Sequence, residues 1–344
     1  MRVVFSERHR LYAPRFDLVN GQVKETASPA KNADIVLAAI ERDLKLPIRA
    51  PDDFGLDPIL RLHDPAYVRF LQTVWDEWVA LFGAEGEALP MACVQRGMRQ
   101  HLPQVIDGKV SYYAQDICTP IGPGTWEAAY ASAQVALTAA AEVAGGARSA
   151  YGLARPGGHH AGYDYYAGYC FLATESLAIQ HLLDNGTKRI AYLDVDYHHC
   201  NGTQALFYRR GDVITVSIHC DPDWDYPFFS GFADERGEGP GEGCNLNLPL
   251  PWGTTLPAYA EALETGLAAI RGFGADALVV LLGVDTFEQD RISRFKLTHD
   301  AYPRIGAAIA GLGLPTVFIK GGGYSEEGLD RCVTALLGGF LGCA

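Results

Sequence analysis

No apolar run in the chain reaches about 18 residues without a charge interrupting it, so no membrane-spanning helix is expected. The opening MRVVFSERHR has no long apolar stretch of the secretory-signal kind and goes straight into a short strand-like run, so no signal peptide is expected there. The cysteines (Cys93, Cys118, Cys170, Cys200, Cys220, Cys244, Cys332 and Cys343) include no C-x-x-C and no compact framework. That spacing argues against disulfides and points to reduced thiols in a cytoplasmic protein. Basic residues are in short supply, 28 against 41 acidic, for a formal net charge of −13. Nucleic acid is therefore not the expected partner, because phosphate binding wants a basic face. The acidity admits a cationic substrate without demanding one. There is no internal repeat and no low-complexity tail.

What is present is apolar and glycine-rich. The 344 residues are 48% hydrophobic and include 38 glycines, many just after apolar runs. That is enough for one large domain or two small ones. Short β-branched runs at 149–154, 189–195, 212–219, 276–284 and 315–322 read as buried strands. Amphipathic stretches at about 125–144, 172–184, 202–210, 256–273, 299–312 and 325–338 read as helices, the first with Thr125 as its N-cap. The alternation predicts an α/β fold, a largely parallel sheet covered by helices on both faces.

Two segments do not fit as simple connections. Residues 82–124 are long, with glycine, proline and little periodicity, the mark of a functional or interface-forming loop. Residues 220–253 carry Asp221, Asp223, Asp225, Asp234, Glu235, Glu238 and Glu242 against Arg236 alone, which reads as a solvated loop or as an acidic, aromatic lip on a substrate mouth.

Polar clusters follow the five runs: RPGGHHAG (155–162), DVDYHHCNG (194–202), SIHCDP (217–222), GVDTFEQD (283–290) and KGGGYS (320–325). In a parallel sheet the carboxyl ends of the strands share one edge, where ligands bind. Five clusters at five strand ends therefore describe one site. Asp196 and His198 are two apart and point the same way on extended chain. Asp285 joins them from a neighbouring strand end. Two Asp and one His leave a coordination position open, as catalytic zinc requires, and the same donors suit Mn²⁺ or Fe²⁺.

These motifs, with GYCF, FYRRGDVITVSIH, PGTWEAA and the opening MRVVFSERH, resemble the histone deacetylase superfamily over nearly the whole chain, and within it the bacterial acetylpolyamine amidohydrolase branch. The resemblance implies a single arginase-like α/β domain spanning 1–344, a sheet of about eight strands, and hydrolysis of an acetamide. It implies that Asp196, His198 and Asp285 hold Zn²⁺ (or Fe²⁺ or Co²⁺), and that His159 and His160 move protons. Tyr324 would reach the substrate carbonyl. Asp194 would orient His159, and Asn201 would stand beside His160, leaving it less basic than an Asp would. Asp194, Asp196, His198, Ser217 and Ile218 would hold a structural K⁺. Tyr169 and Tyr226 would flank the scissile amide as tunnel walls, with Gly168 and Gly322 against the substrate. Two tyrosines there bring two hydroxyls that need partners.

Three departures from the family pattern stand out: Gly157 in place of a second Pro, Cys200 in place of Gly, and Cys118 where one relative carries a glutamate. The last leaves the substrate's ammonium without its inherited partner, and Asp116 or the acids at 221–225 are the substitutes. The 82–124 segment resembles an insertion that pairs two subunits and narrows the tunnel, so a homodimer is expected. The primary expectation is removal of acetyl groups from small N-acetylated polyamines. The alternatives are a protein acetyl-lysine deacetylase, an arginase-type binuclear manganese enzyme, which wants more Asp and His ligands than are present, and an inactive binding protein.

Overall fold

Strands buried on both sides need a helical cover on each face, and the computed structural model supplies one. It describes residues 1–19, 21–94, 96 and 99–342; Cys343 lies outside them. The strands are β1 (Arg2–Phe5), β2 (Phe16–Val19), β3 (Gln22–Glu25), β4 (Ile48–Arg49), β5 (Ser149–Leu153), β6 (Ile190–Asp194), β7 (Val213–Cys220), β8 (Asn245–Leu250), β9 (Ala277–Leu282) and β10 (Thr316–Lys320). Eight of them form one sheet in the order β4-β1-β5-β10-β9-β6-β7-β8, parallel at every pairing, while β2 and β3 form a separate antiparallel hairpin.

The helices are α1 (Lys31–Ala39), α2 (Asp57–Leu60), α3 (Pro65–Phe82), α4 (Ile106–Tyr113), α5 (Thr125–Ala144), α6 (Thr174–Asp184), α7 (Asn201–Phe207), α8 (Leu256–Phe273), α9 (Ala301–Ala310) and α10 (Leu329–Gly342). The period-2 alternation of each strand divides the core. Leu278, Val280 and Leu282 pack with α1, α8, α9 and α10 on one face. Ala277, Val279 and Leu281 pack with α5, α6 and α7 on the other. A third apolar cluster, with Tyr67, Phe70, Tyr113, Tyr166 and Phe171 at its centre, fastens α3 and α4 to the start of α5.

The five apolar runs are β5, β6, β7, β9 and β10, and the strand-like opening is β1. The edge strands β4 and β8 have no counterpart among those runs. β8 lies inside 220–253, and its residues are only alternately buried, so it lacks the continuous apolar signal of a central strand. The 82–124 segment is not structureless, since it contains α4. Thr125 is the first residue of α5 and not its cap. Gly124 occupies the cap position at φ +76°, and the Thr125 hydroxyl accepts from the Gly122 N–H at 3.0 Å. The described cysteines are free thiols. Among the described residues no helix is long and apolar enough to cross a membrane.

Candidate active site

The centre of the site is a crowd of charge in a dry place. Asp196, His198 and Asp285 follow β6 and β9 and are buried, with ligand atoms all within 4.8 Å of one another. His198 Nδ1 lies 3.0 Å from Asp285 Oδ2 and 3.3 Å from Asp196 Oδ1. A tetrahedral ion with bonds of about 2.0–2.1 Å separates its ligands by about 3.3 Å, so this donor set has the spacing of a metal centre. The electrostatics agree. Burial, and then the charge of Asp196, push Asp285 up to about 8, an adverse state that a divalent cation would relieve. Backbone groups hold the carboxylates in place: Gly322 N–H donates to Asp196 Oδ2 at 2.6 Å, and Tyr197 N–H to Asp285 Oδ1 at 2.9 Å. The glycines here are a packing requirement. A Cβ at Gly283 would stand 2.2 Å from Asp196 Oδ2, and one at Gly322 would stand 2.4 Å from Asp285 Oδ2. Gly322 thus backs the carboxylates.

The loop after β5 brings His159 and His160 alongside, their ring centroids 3.9 Å apart. Their partners differ in charge. His159 Nδ1 faces Asp194 Oδ2 at 3.1 Å, and Asp194 also accepts from the Tyr192 hydroxyl at 2.6 Å. His160 Nδ1 faces Asn201 Oδ1, the first residue of α7, at 2.6 Å. Burial alone would lower both rings. For His159 the carboxylates of Asp196, Asp194 and Glu175 outweigh it and push the ring up to about 9. For His160 burial prevails, helped by His159 and His198, and the ring is held well below its ordinary value. The two rings are thus shifted in opposite directions, His159 among carboxylates and His160 beside an amide and two other imidazoles.

Aromatic rings form the walls. Tyr226 stands edge-on to His160 at 5.0 Å and to His198 at 6.0 Å. Tyr169 lies 6.2 Å from Tyr324. Gly157, His159, Gly168, Tyr169, Gly322 and Tyr324 line a small cavity behind the site. The two expected hydroxyl partners exist: Tyr226 donates to Asp116 Oδ2 at 2.9 Å and Tyr169 to Asp17 Oδ2 at 2.9 Å.

Other expected site residues are placed differently from one another. Asp194 and Ser217 are register neighbours on β6 and β7, and Ile218 is buried beside them. The Ser217 hydroxyl is 2.7 Å from His219 Nδ1. His199 is buried against Gln204 and Ser230 and takes no place among the reacting groups. Of the lip acids, Asp225 accepts from the Tyr197 hydroxyl and the Trp252 indole. Asp116 is also engaged by protein donors, from Cys118, Thr119, Gly168 and Tyr226.

Sequence reasoning passed over four side chains. Asp17 on β2 anchors Tyr169, Thr119 meets the Tyr169 backbone, Asp290 Oδ2 accepts from Tyr324 N–H at 2.8 Å, and buried Glu175 lies within electrostatic reach of His159. Asp290 belongs to the GVDTFEQD motif and was within reach of pattern reading. Asp17 was not, because its contact spans 152 residues of sequence. A test of the centre follows from its charge balance. Asp285→Asn removes one of two crowded carboxylates. Its Tm is expected to rise in chelator-treated protein and to fall relative to wild type once Zn²⁺ is added, with elemental analysis showing lost metal. A Tm unmoved in both states would contradict this account.

Residues 26–340 match the histone deacetylase domain family. The chain is 47% identical to acetylpolyamine amidohydrolase 1 of Pseudomonas aeruginosa over 100% of both chains. It is 43% identical to acetylpolyamine amidohydrolase of Mycoplana ramosa over 99% of this chain and 100% of that one. The crystal structure of acetylpolyamine aminohydrolase from Burkholderia pseudomallei superposes with a TM-score of 0.95 at 40% identity, covering 99% of this chain and 98% of the other. With the match across the catalytic motifs and the whole sheet, the chain belongs to the histone deacetylase family.

Proposed function

We propose that the chain hydrolyses the acetamide of small N-acetylated polyamines, of the acetylputrescine, acetylcadaverine and acetylspermidine class, to acetate and a free amine. The observation that carries the chemistry is a pair of adjacent histidines, one on a carboxylate and one on an amide, set beside a buried Asp-His-Asp cluster. The polyamine class is supported by full-length relatives of that name at 41–47% identity.

The family is metal-dependent, and Asp196, His198 and Asp285 are the residues that would hold the ion. Their two oxygens and one nitrogen suit Zn²⁺, with Fe²⁺ or Co²⁺ as substitutes. Such a cation acidifies water and polarises an amide carbonyl. The chain's own groups do the rest. Asn201 Oδ1 can only accept, so the His160 proton sits on Nδ1 and leaves Nε2 bare to take a proton from the attacking water. His159, whose Nδ1 faces Asp194, would be the matching donor as the C–N bond breaks and the amine leaves. The Tyr324 hydroxyl would donate to the amide oxygen as it gains charge. A structural K⁺ belongs to this proposal, at oxygens of Asp194, Asp196, His198, Ser217 and Ile218. The free thiols support a cytoplasmic setting. A second copy of the chain is the partner proposed for the 82–124 segment, which exposes Phe82, Met91, Val105 and Ile117.

Four measurements test these points. For acetylputrescine against an acetyl-lysine peptide, kcat/KM is expected to favour the polyamine. His160→Ala and Tyr324→Phe are each expected to lose about 10²–10³ in kcat. A large peptide preference would turn the reading toward a protein deacetylase. Asn201→Asp puts a carboxylate against His160 and stabilises its charged form. The acid limb of the pH–rate profile should therefore move to higher pH, because the ring must be neutral to accept a proton. Sedimentation at micromolar protein should show a dimer, and a monomer would remove the second copy from the proposal.

A further inference from the structure

Asp116 stands between the two walls of the tunnel, and the geometry points to a positioning role for it: we infer that Asp116 is a strut that sets the tunnel's width and the seat of His160, not the acceptor of the substrate's ammonium. The inference rests on the amidohydrolase reading above and deepens it.

The first argument is capacity. A carboxylate offers about four lone-pair sites. Asp116 Oδ1 accepts from Cys118 N–H at 2.9 Å and from the Thr119 hydroxyl at 3.0 Å. Its Oδ2 accepts from Gly168 N–H at 2.6 Å and from the Tyr226 hydroxyl at 2.9 Å. Four donors of the protein itself fill the group, so an ammonium would have to displace one.

The second argument is where those donors lie. Tyr226 belongs to the wall beside His160, and Gly168 leads into Tyr169 on the wall beside Tyr324. One oxygen therefore joins both walls. Thr119 completes the brace, since its hydroxyl, while donating to Asp116, accepts from Tyr169 N–H at 3.1 Å. Gly168 and Tyr169 sit at φ +53° and +62°. For tyrosine that left-handed conformation is unfavourable and persists only where its surroundings over-determine it. Asp116 and Thr119 hold the two successive N–H groups of this turn.

The third argument is the path to the chemistry. A Cβ on Gly168 would stand 2.1 Å from His160 Cδ2, so the Gly168 backbone is in direct contact with the imidazole face. Moving Gly168 moves the seat of the ring that accepts the proton, and a displacement of about 1 Å costs up to about 10²-fold in rate. The second hydroxyl, on Tyr169, is tied separately to Asp17, so each tunnel ring is pinned by its own carboxylate. A phenylalanine at either place would be free of such a tie.

The experiment compares acetylputrescine with N-butylacetamide, which has the same chain and no ammonium, in wild type, Asp116→Asn, Tyr226→Phe and the double variant. A strut predicts that Asp116→Asn lowers kcat/KM about 10- to 100-fold for both amides, mainly through kcat. It predicts that Tyr226→Phe lowers it for both as well, and that the double variant loses less than the product of the single losses. An ammonium acceptor predicts a loss confined to acetylputrescine in Asp116→Asn. It also predicts a gain for acetylputrescine in Tyr226→Phe, which empties one site on the carboxylate. Either of those results overturns the inference. The same four proteins are compared by Tm, where non-additive shifts support the strut and additive shifts count against it. Wild type that turns over neither amide overturns the hydrolase reading, and the Tm comparison still decides the strut.

Discussion

Two carboxylates and an imidazole are held together out of water at the ends of β6 and β9, and the surrounding structure answers to that constraint. Like charges buried within hydrogen-bond distance are adverse unless a cation or donors compensate. Backbone N–H groups of Tyr197, His198 and Gly322 point into Asp196 and Asp285. Gly283 and Gly322 lack side chains because a Cβ would enter the carboxylates. The charge of the cluster also reaches outward, and with Asp194 it raises His159 against its own burial.

The opposite shifts of His159 and His160 follow from the charges that surround each ring. The rings are neighbours and both buried. Asp196, Asp194 and Glu175 raise one, while His159 and His198 help burial lower the other, whose direct partner is the Asn201 amide. An acid and a base side by side at one pH need such a split environment. The split is made by residues at the start of α7 and the end of β6, both rigid elements, which is the placement a precise site requires.

Much of this was legible in the sequence. The central strands announce themselves as continuous apolar runs because both their faces are buried, and the polar clusters that follow them mark the catalytic edge. The spacing of Asp196 and His198 carries its own geometry. The edge strand β8 and helix α4 were harder to see. β8 is only alternately buried, and α4 buries Ile106, Val110, Ser111 and Tyr113 in a segment with weak periodicity. The Thr125 assignment missed by one residue because the turn into the helix is made by left-handed Gly124, which offers no side-chain cap.

The sequence by itself determined the layered α/β arrangement, the order of the strand-end motifs and the identity of the groups that gather there, because each is written in local spacing. Only the tertiary structure decided what each carboxylate is free to do. Asp116 and Asp225 look alike as acids near a mouth, yet donors from distant loops already occupy them. Asp17 carries no local signal and pins a ring 152 residues away. Hydrogen-bond saturation is a property of what the folded chain brings within 3 Å, and no pattern along the chain records it.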